Sequence, residues 1–151
     1  LVPAALGLGR IAELVPSGQL LLLFLLVLIA AADVGAYFGG RSFGRRKLAP
    51  RVSPNKTWEG FWSGIGAAVI AALAGAWLLG KPPLPWTAVC VLVALSSVVG
   101  DLVESMFKRK AGLKDSSGLL PGHGGVLDRL DSLSAAAPMF LLGLIVIGVA
   151  D

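Results

Sequence analysis

The stretch LLLLFLLVLIAAADVGAYF, at residues 20–38, decides the fold of this chain. It is almost entirely apolar, and its length approaches the roughly 20 residues that an α-helix needs to cross a hydrocarbon core about 30 Å thick. Three more apolar stretches follow, at residues 61–79, 84–100 and 133–150. The sequence therefore predicts an all-α fold, a polytopic bundle of transmembrane helices with about four spans.

The composition agrees with a membrane location. Apolar residues make up 56% of the chain and charged residues 15%, and the mean hydropathy is +0.82. Soluble domains average about 45–50% apolar and about 25% charged residues. Residues 2–15 are less apolar and include Arg10 and Glu13, so we predict a partial or interfacial helix there. The single cysteine, Cys90, excludes an internal disulfide and a cysteine-based metal cluster.

Basic residues are unevenly distributed among the connections between the spans. Residues 39–60 contain six lysines and arginines and residues 101–132 contain five, whereas the turn at residues 80–85 contains only Lys81. Because positively charged loops tend to stay in the cytoplasm, both long connections are predicted to face it. The two spans between them also place them on one side. For Arg45, Arg46 and Lys47 we favour orientation and contact with lipid headgroups.

Small and aromatic residues suggest how the spans pack. Small residues recur at helical spacing in the second span, which permits close helix contact, at Gly60, Gly64, Ala68 and Ala72. The tryptophans lie near predicted span ends, where indole rings prefer the membrane–water interface, at Trp58, Trp62, Trp77 and Trp86. Packing is the favoured interpretation for both sets.

Two charged runs carry a resemblance to a known family. Residues 105–131 read SMFKRKAGLKDSSGLLPGHGGVLDRLD, and DVGAYFGGR at residues 33–41 is followed by SPNKTWEG at residues 53–60. In order as well as composition, these runs resemble the signature of the phosphatidate cytidylyltransferases, also called CDP-diacylglycerol synthases. The matching positions of the first run include Ser105, Lys108, Arg109, Lys114, Asp115, Pro121, His123, Gly124, Gly125, Asp128, Arg129 and Asp131.

The resemblance implies a reaction and a setting. It implies transfer of a cytidylyl group from CTP to phosphatidate for phospholipid synthesis, with release of pyrophosphate and a need for a divalent metal. Members of the family carry further membrane helices before the matched region, so residues 1–151 are expected to form the C-terminal catalytic region of a longer protein. The expected location is the bacterial inner (plasma) membrane, with the site facing the cytoplasm. Expected partners are CTP, phosphatidate and membrane lipids. Formation of a homo-oligomer is left open.

Three carboxylates are predicted to bind Mg²⁺. Attack of a phosphate monoester on the α-phosphorus of CTP needs charge neutralisation more than a base, because the nucleophile is already an anion. Asp128 and Asp131 are three residues apart at the start of the last span, and Asp101 lies at the end of the third. Together they suit Mg²⁺, which prefers oxygen ligands, with room for a monovalent cation. Favourable helix-dipole contacts are the alternative for Asp128 and Asp131, but not for Asp101.

Other residues of the matched runs are predicted to contact the substrates. Arginine grips phosphate with a bidentate fork and lysine acts as a compact charge, so the predicted triphosphate clamp is Lys108, Arg109, Lys114 and Arg129. Glycines let backbone amides approach an anion closely, so Gly124 and Gly125 join the predicted substrate contacts with Ser105, Asp115 and Asp33. For Asp115, orienting Lys114 and contacting the nucleotide are about equally favoured.

The predicted catalytic set adds His123 and Lys56 to the three aspartates. His123 is the only histidine, and it either bonds a phosphate or the base, or protonates the departing pyrophosphate. Lys56 is placed to reach a phosphate of either substrate. The alternative for residues 53–57 is a helix entry with Ser53 and Thr57 as caps.

Two acidic residues are given predicted partners. Asp33 is expected to be buried in the first span, with Lys56 or Arg41 as its partner, because ionisable groups within spans usually face the bundle interior. Glu104 precedes Lys108 by four residues and is predicted to support it through a helical ion pair.

Alternative functions remain open at this point. A CTP-dependent polyprenol or phytol kinase, or a CDP-archaeol-type synthase, would also join a nucleotide to a membrane-bound acceptor. An ion-coupled transporter is a more distant alternative, since intramembrane carboxylates serve ion pathways too; here the charges concentrate in two loops on one side. Nucleic acid is not an expected partner, because there is no basic and aromatic platform outside the spans.

Overall fold

The computed structural model of the chain describes residues 2–13, 18–50, 52–110 and 127–149, and the side chains of residues 127–131 lie outside this description. Within these ranges the helices are α1 Val2–Ala12, α2 Gly18–Phe43, α3 Trp58–Leu78, α4 Pro83–Lys110 and α5 Leu127–Val146, and the strands are β1 Lys47–Ala49 and β2 Ser53–Thr57. The prediction of a helical bundle is confirmed.

Three of the described helices, α2, α3 and α4, are long and apolar enough to cross a membrane. Two shorter apolar helical segments accompany them, α1 and Ser132–Val146 of α5. This arrangement is roughly consistent with the expected count of about four spans. The helix predicted near the start of the chain is present as α1, and it packs against α5 and α2.

The predicted limits of the two long loops were partly wrong. Helix α2 continues to Phe43, α4 continues to Lys110, and α5 begins at Leu127, so parts of the predicted loops 39–60 and 101–132 are helical. The apolar stretch of a span marks the part that suits a lipid environment, not the part that is helical. Residues 101–110 are rich in strong helix formers, and the last turn of α4 is basic, which favours the helix dipole.

A small antiparallel hairpin, which the all-α prediction did not include, joins α2 to α3. In β1 and β2, Lys47 lies opposite Thr57 and Ala49 opposite Ser53. The base of the hairpin is fixed to α3, because the Trp58 N–H donates to the Arg46 carbonyl at 3.0 Å. The paired strands β1 and β2 therefore end at the first turn of α3.

Thr57 ends the hairpin and begins α3. Its backbone is extended, with φ −124° and ψ 156°, and its Oγ1 accepts a hydrogen bond from the Gly60 N–H at 3.1 Å. This is an N-cap, which satisfies one of the otherwise unpaired amides of the first turn. The alternative of a capping role is confirmed for Thr57, whereas Ser53 lies at the start of β2. The cap fixes where the preceding residue, Lys56, enters the bundle.

Helices α2 and α3 pack closely through small residues. Gly60, Gly64, Ala68 and Ala72 are buried, as the spacing predicted. A Cβ atom at Gly64 would lie 2.8 Å from the carbonyl oxygen of Ala32, closer than real Cβ atoms come to a backbone atom. The two backbones therefore approach as closely as glycine allows, which is the usual way for apolar helices to associate in lipid.

Aromatic side chains fill the end of the bundle where α4 begins. Trp86, at the start of α4, is fully buried, and its ring centroid lies 5.1 Å from that of Phe24 and 6.0 Å from that of Phe140. Trp86 therefore packs inside the bundle near a span end, which agrees with the favoured interpretation of the tryptophans as packing residues. Three helices contribute to this cluster, and such convergence is not visible in the spacing along one helix.

Candidate active site

A cavity of about 590 Å³ lies between α2, α3, α4 and β2. Its apolar walls come from side chains such as Ala32, Ile65, Ala94 and Val98. Its polar lining consists of Asp33, Tyr37, Arg41, Ser53, Asn55, Lys56, Thr57, Ser97 and Asp101. A cavity with apolar walls and a few convergent polar groups is typical of ligand sites, and this combination suits an amphipathic ligand.

The fold explains why distant parts of the sequence meet in this cavity. The chain reverses between α3 and α4 at Gly80, which has a φ of 62° that glycine adopts easily, and Pro83 starts α4. Because α3 and α4 run in opposite directions, Lys56, just before α3, comes beside Asp101, in the second half of α4. The hairpin that follows α2 and the last part of α4 therefore lie at the same end of the bundle.

An ion pair between Lys56 and Asp101 is the central contact of the cavity. The Lys56 Nζ donates to the Asp101 Oδ2, and each side chain is 28% exposed. The Ser105 hydroxyl lies 3.5 Å from the other oxygen, Oδ1. Partial burial makes such a pair stronger than an exposed one, and it leaves either group costly without a counter-charge. The sequence placed both residues in the site but did not predict that they pair.

Asp33 lies in the same cavity, on α2. It is close enough for its charge to interact with those of Asp101 and Lys56. Asp33 lies within the first span and lines the cavity between the helices, where an ionisable group in a span was expected to face, although its side chain is exposed there. The predicted partners also differ, since Lys56 pairs with Asp101. Arg41 instead donates from Nη1 to the Tyr37 hydroxyl at 3.1 Å.

Two predicted phosphate-binding residues lie beyond the cavity lining. Lys108 and Arg109 are in the last turn of α4, and Lys108 is seven residues past Asp101, about 10 Å along the helix axis. The Lys108 Nζ lies 3.3 Å from the Glu104 Oε1, so the predicted helical ion pair is confirmed. These cations extend the polar end of the site along α4.

The rest of the predicted site falls outside the described residues. Lys114, Asp115, His123, Gly124 and Gly125 belong to this part of the chain. Asp128, Arg129 and Asp131 lie at the start of α5, and their side chains are likewise outside the description. Among the described residues, no group of three or more His, Cys, Asp or Glu side chains is placed to hold a metal ion. The predicted metal set stays a prediction.

Comparison with known proteins assigns the chain to a family. The profile of the Cytidylyltransferase family matches residues 2–147. The chain belongs to this family. A phosphatidate cytidylyltransferase of Pseudomonas aeruginosa is 52% identical over a 157-residue alignment that covers 93% of this chain and 52% of the relative. One from Haemophilus influenzae is 52% identical over 129 residues, covering 82% of this chain and 45% of the relative.

The chain thus spans about half the length of these cytidylyltransferase relatives. A solved structure, described as an intramembrane enzyme for archaeal membrane lipids biosynthesis, has the same fold. It superposes with a TM-score of 0.62 and covers 84% of each chain at 23% sequence identity. The family match confirms the resemblance that the charged runs suggested. The solved structure confirms the helical membrane architecture.

The cavity also contains residues that were missed as site residues. Tyr37 and Arg41 line it, although Arg41 had been considered only as a partner for Asp33. A signal for both was present in the sequence. Asp33, Tyr37 and Arg41 are spaced four residues apart, which places them on one face of a helix.

Proposed function

We propose that this chain forms the membrane-embedded catalytic region of a phosphatidate cytidylyltransferase. The enzyme would join CTP and phosphatidate to give CDP-diacylglycerol and pyrophosphate. The observation that carries the proposal is the Lys56–Asp101 pair within a cavity that has both apolar walls and charged groups. The names of the relatives and their identity to this chain support the same reaction.

The reaction requires positioning and charge neutralisation. An oxygen of the phosphatidate phosphate forms a bond to the α-phosphorus of CTP, and the bond from that phosphorus to the bridging oxygen of pyrophosphate breaks. Both reactants are anions, so cations must screen their repulsion. Lys56 would contact a phosphate oxygen of the substrate once its ion pair with Asp101 is broken. His123 is proposed to bond a phosphate or the base, or to protonate the departing pyrophosphate.

The aspartates are the proposed ligands of a magnesium ion. Asp33 and Asp101 are oxygen donors in one cavity, and Mg²⁺ prefers oxygen ligands while keeping water and substrate phosphates in its shell. Asp101, Asp128 and Asp131 would hold the ion, which would neutralise charge on the phosphoryl oxygens when bound. Lys56 supplies a counter-charge to Asp101 in the cavity. A monovalent cation beside Mg²⁺ belongs to the same proposal.

The remaining partners follow from the same argument. Lys108, Arg109, Lys114 and Arg129 are proposed to clamp the triphosphate of CTP, with contacts from Ser105, Asp115, Gly124 and Gly125. The phosphatidate would stay in the membrane, with its phosphate at the polar end of the cavity. The proposed location is the bacterial inner membrane, with this end facing the cytoplasm.

Product identity tests the proposed reaction. The full-length protein, reconstituted with Mg²⁺, CTP labelled at the α-phosphorus and phosphatidate, is expected to release pyrophosphate and to transfer the label to a lipid. Diacylglycerol, which has the same tails but no phosphate, is the matched control and should give no labelled lipid. In a parallel assay a polyprenol or phytol replaces phosphatidate. Release of labelled CDP with phosphorylation of that alcohol, and no labelled lipid from phosphatidate, would contradict the proposal and assign the chain to CTP-dependent lipid kinases.

Thiol labelling tests the proposed orientation. Arg45→Cys and Pro83→Cys are made separately in the full-length protein, with Cys90 and any cysteine outside residues 1–151 replaced. In intact spheroplasts, an impermeant thiol reagent should label Pro83→Cys and leave Arg45→Cys unlabelled, because basic loops stay in the cytoplasm. Both sites should react after permeabilisation. Labelling of Arg45→Cys alone in intact spheroplasts would show the opposite orientation.

A further inference from the structure

Arg41 differs from the other described cation of the cavity. Lys56 is paired with Asp101, whereas Arg41, among the residues that the structure describes, has no carboxylate within ion-pair distance. Arg41 lines the cavity and is exposed, in the last turn of α2. It is therefore available to an anionic ligand without first breaking an ion pair.

The Tyr37 hydroxyl holds the Arg41 guanidinium. Arg41 Nη1 donates to this oxygen at 3.1 Å, from one helical turn further along α2. A guanidinium has five N–H donors in a planar fork, so one bond to tyrosine orients the group and leaves the others unused. A pre-oriented fork of this kind matches two oxygens of a phosphate.

The position of Arg41 favours a lipid phosphate. Large aromatic side chains are exposed at the same end of α2, with exposed fractions of 58% for Tyr37, 60% for Phe38 and 71% for Phe43. Of these, Tyr37 is of the residue type that prefers the level of the lipid headgroups at the end of a span. The apolar cavity walls contributed by Ala32 and Ala94 suit a ligand whose phosphate is attached to apolar chains.

We propose that Arg41, oriented by Tyr37, binds the phosphate of the lipid acceptor and so selects phosphomonoester lipids at this cavity. This inference rests on the proposed function and adds the residue that recognises its membrane substrate. The phosphates of CTP are the alternative ligand for the Arg41 guanidinium. They would reach Arg41 from water, and separate measurements with the two substrates distinguish them.

Steady-state kinetics of the full-length protein in mixed micelles test the inference. Arg41→Gln is expected to raise the KM for phosphatidate, expressed as surface concentration, about tenfold or more, because loss of a charge-assisted contact has about this effect. The KM for CTP should change less than twofold. Arg41→Lys keeps the charge but not the planar fork, so its KM for phosphatidate should lie between those of the wild type and Arg41→Gln. Tyr37→Phe, which removes only the hydroxyl, should raise the phosphatidate KM about threefold.

Arg45→Gln is the matched control, since Arg45 is an exposed arginine nearby that does not line the cavity. It removes the same charge from the same membrane surface and should change the phosphatidate KM less than twofold. An equal effect of Arg45→Gln and Arg41→Gln would overturn the proposal in favour of general attraction to anionic lipid. A raised KM for CTP with an unchanged KM for phosphatidate would overturn it in favour of a nucleotide contact.

Thermal unfolding separates this inference from the proposed reaction. Short-chain phosphatidate, added to the detergent-solubilised full-length protein without CTP, should raise the Tm of the wild type, because a ligand that binds the folded state stabilises it. Arg41→Gln should lose this shift and keep the shift caused by CTP with Mg²⁺. If the wild type forms no CDP-lipid, the proposed function fails and this measurement still decides the role of Arg41. If Arg41→Gln does not fold, the same Tm measurement is made with Arg41→Lys and Tyr37→Phe. A phosphatidate-induced Tm shift equal to that of the wild type in both variants would overturn the proposal.

Discussion

Replacement of Asp101 with Asn is expected to lower kcat for CDP-lipid formation by at least about a hundredfold, the size of effect seen when one preorganised electrostatic contact is lost from an active site. Asparagine has nearly the same shape as aspartate but no charge. Lys56 would lose its counter-charge in the cavity, and a metal ion would lose a proposed ligand. The measurement is turnover at saturating CTP and phosphatidate, with thermal unfolding in detergent showing that the variant is folded.

A double-mutant cycle decides whether Asp101 acts together with Lys56. If the pair is one functional unit, Lys56→Met and Asp101→Asn combined should cost little more than the more damaging single change. Glu13→Gln is the matched control, because Glu13 belongs to an ion pair with Arg10 whose side chains are 71% and 75% exposed. Its kcat should stay within about twofold of wild type, as expected of an exposed pair. An Asp101→Asn variant with a kcat within tenfold of wild type would contradict the assignment.

The helices were predictable because their signal is local. Each span needs a run of apolar residues, and such a run is read directly from the sequence. The ends of the helices were less predictable, since α4 continues past its apolar stretch through charged residues to Lys110. The hairpin was missed because SPNKT, with a proline and an asparagine, has no alternating apolar pattern. Its pairing with β1 depends on the fixed positions of α2 and α3.

The members of the site were more predictable than their contacts. Asp33, Lys56 and Asp101 were selected from the sequence, and the structure places all three in one cavity. The Lys56–Asp101 pair joins residues 45 positions apart. Predicting it requires the direction of α4 relative to α3 and the N-cap at Thr57. Trp86 shows the same limit, because its burial depends on rings from two other helices.

Gly64→Ala is expected to destabilise the folded protein by about 1–3 kcal/mol, the usual cost of overpacking a close contact. A Cβ atom at this position would lie 2.8 Å from the carbonyl oxygen of Ala32 and 3.1 Å from the Ala36 Cβ. The first of these is a backbone atom and cannot rotate away, so α2 and α3 must separate. Gly64→Leu should cost more. Thermal unfolding of the full-length protein in detergent measures the change.

Gly66→Ala is the matched control on the same helix. A Cβ atom at Gly66 would meet nothing within 4 Å, so the change should leave stability the same or raise it by up to about 1 kcal/mol through helix propensity. Equal effects of the two substitutions would show that close packing at Gly64 does not limit stability. Ala32, Ala36 and Gly64 also line the cavity. Separation of α2 from α3 would therefore move Asp33 away from Lys56, so Gly64→Ala should also lower turnover at temperatures where the protein is still folded, whereas Gly66→Ala should not.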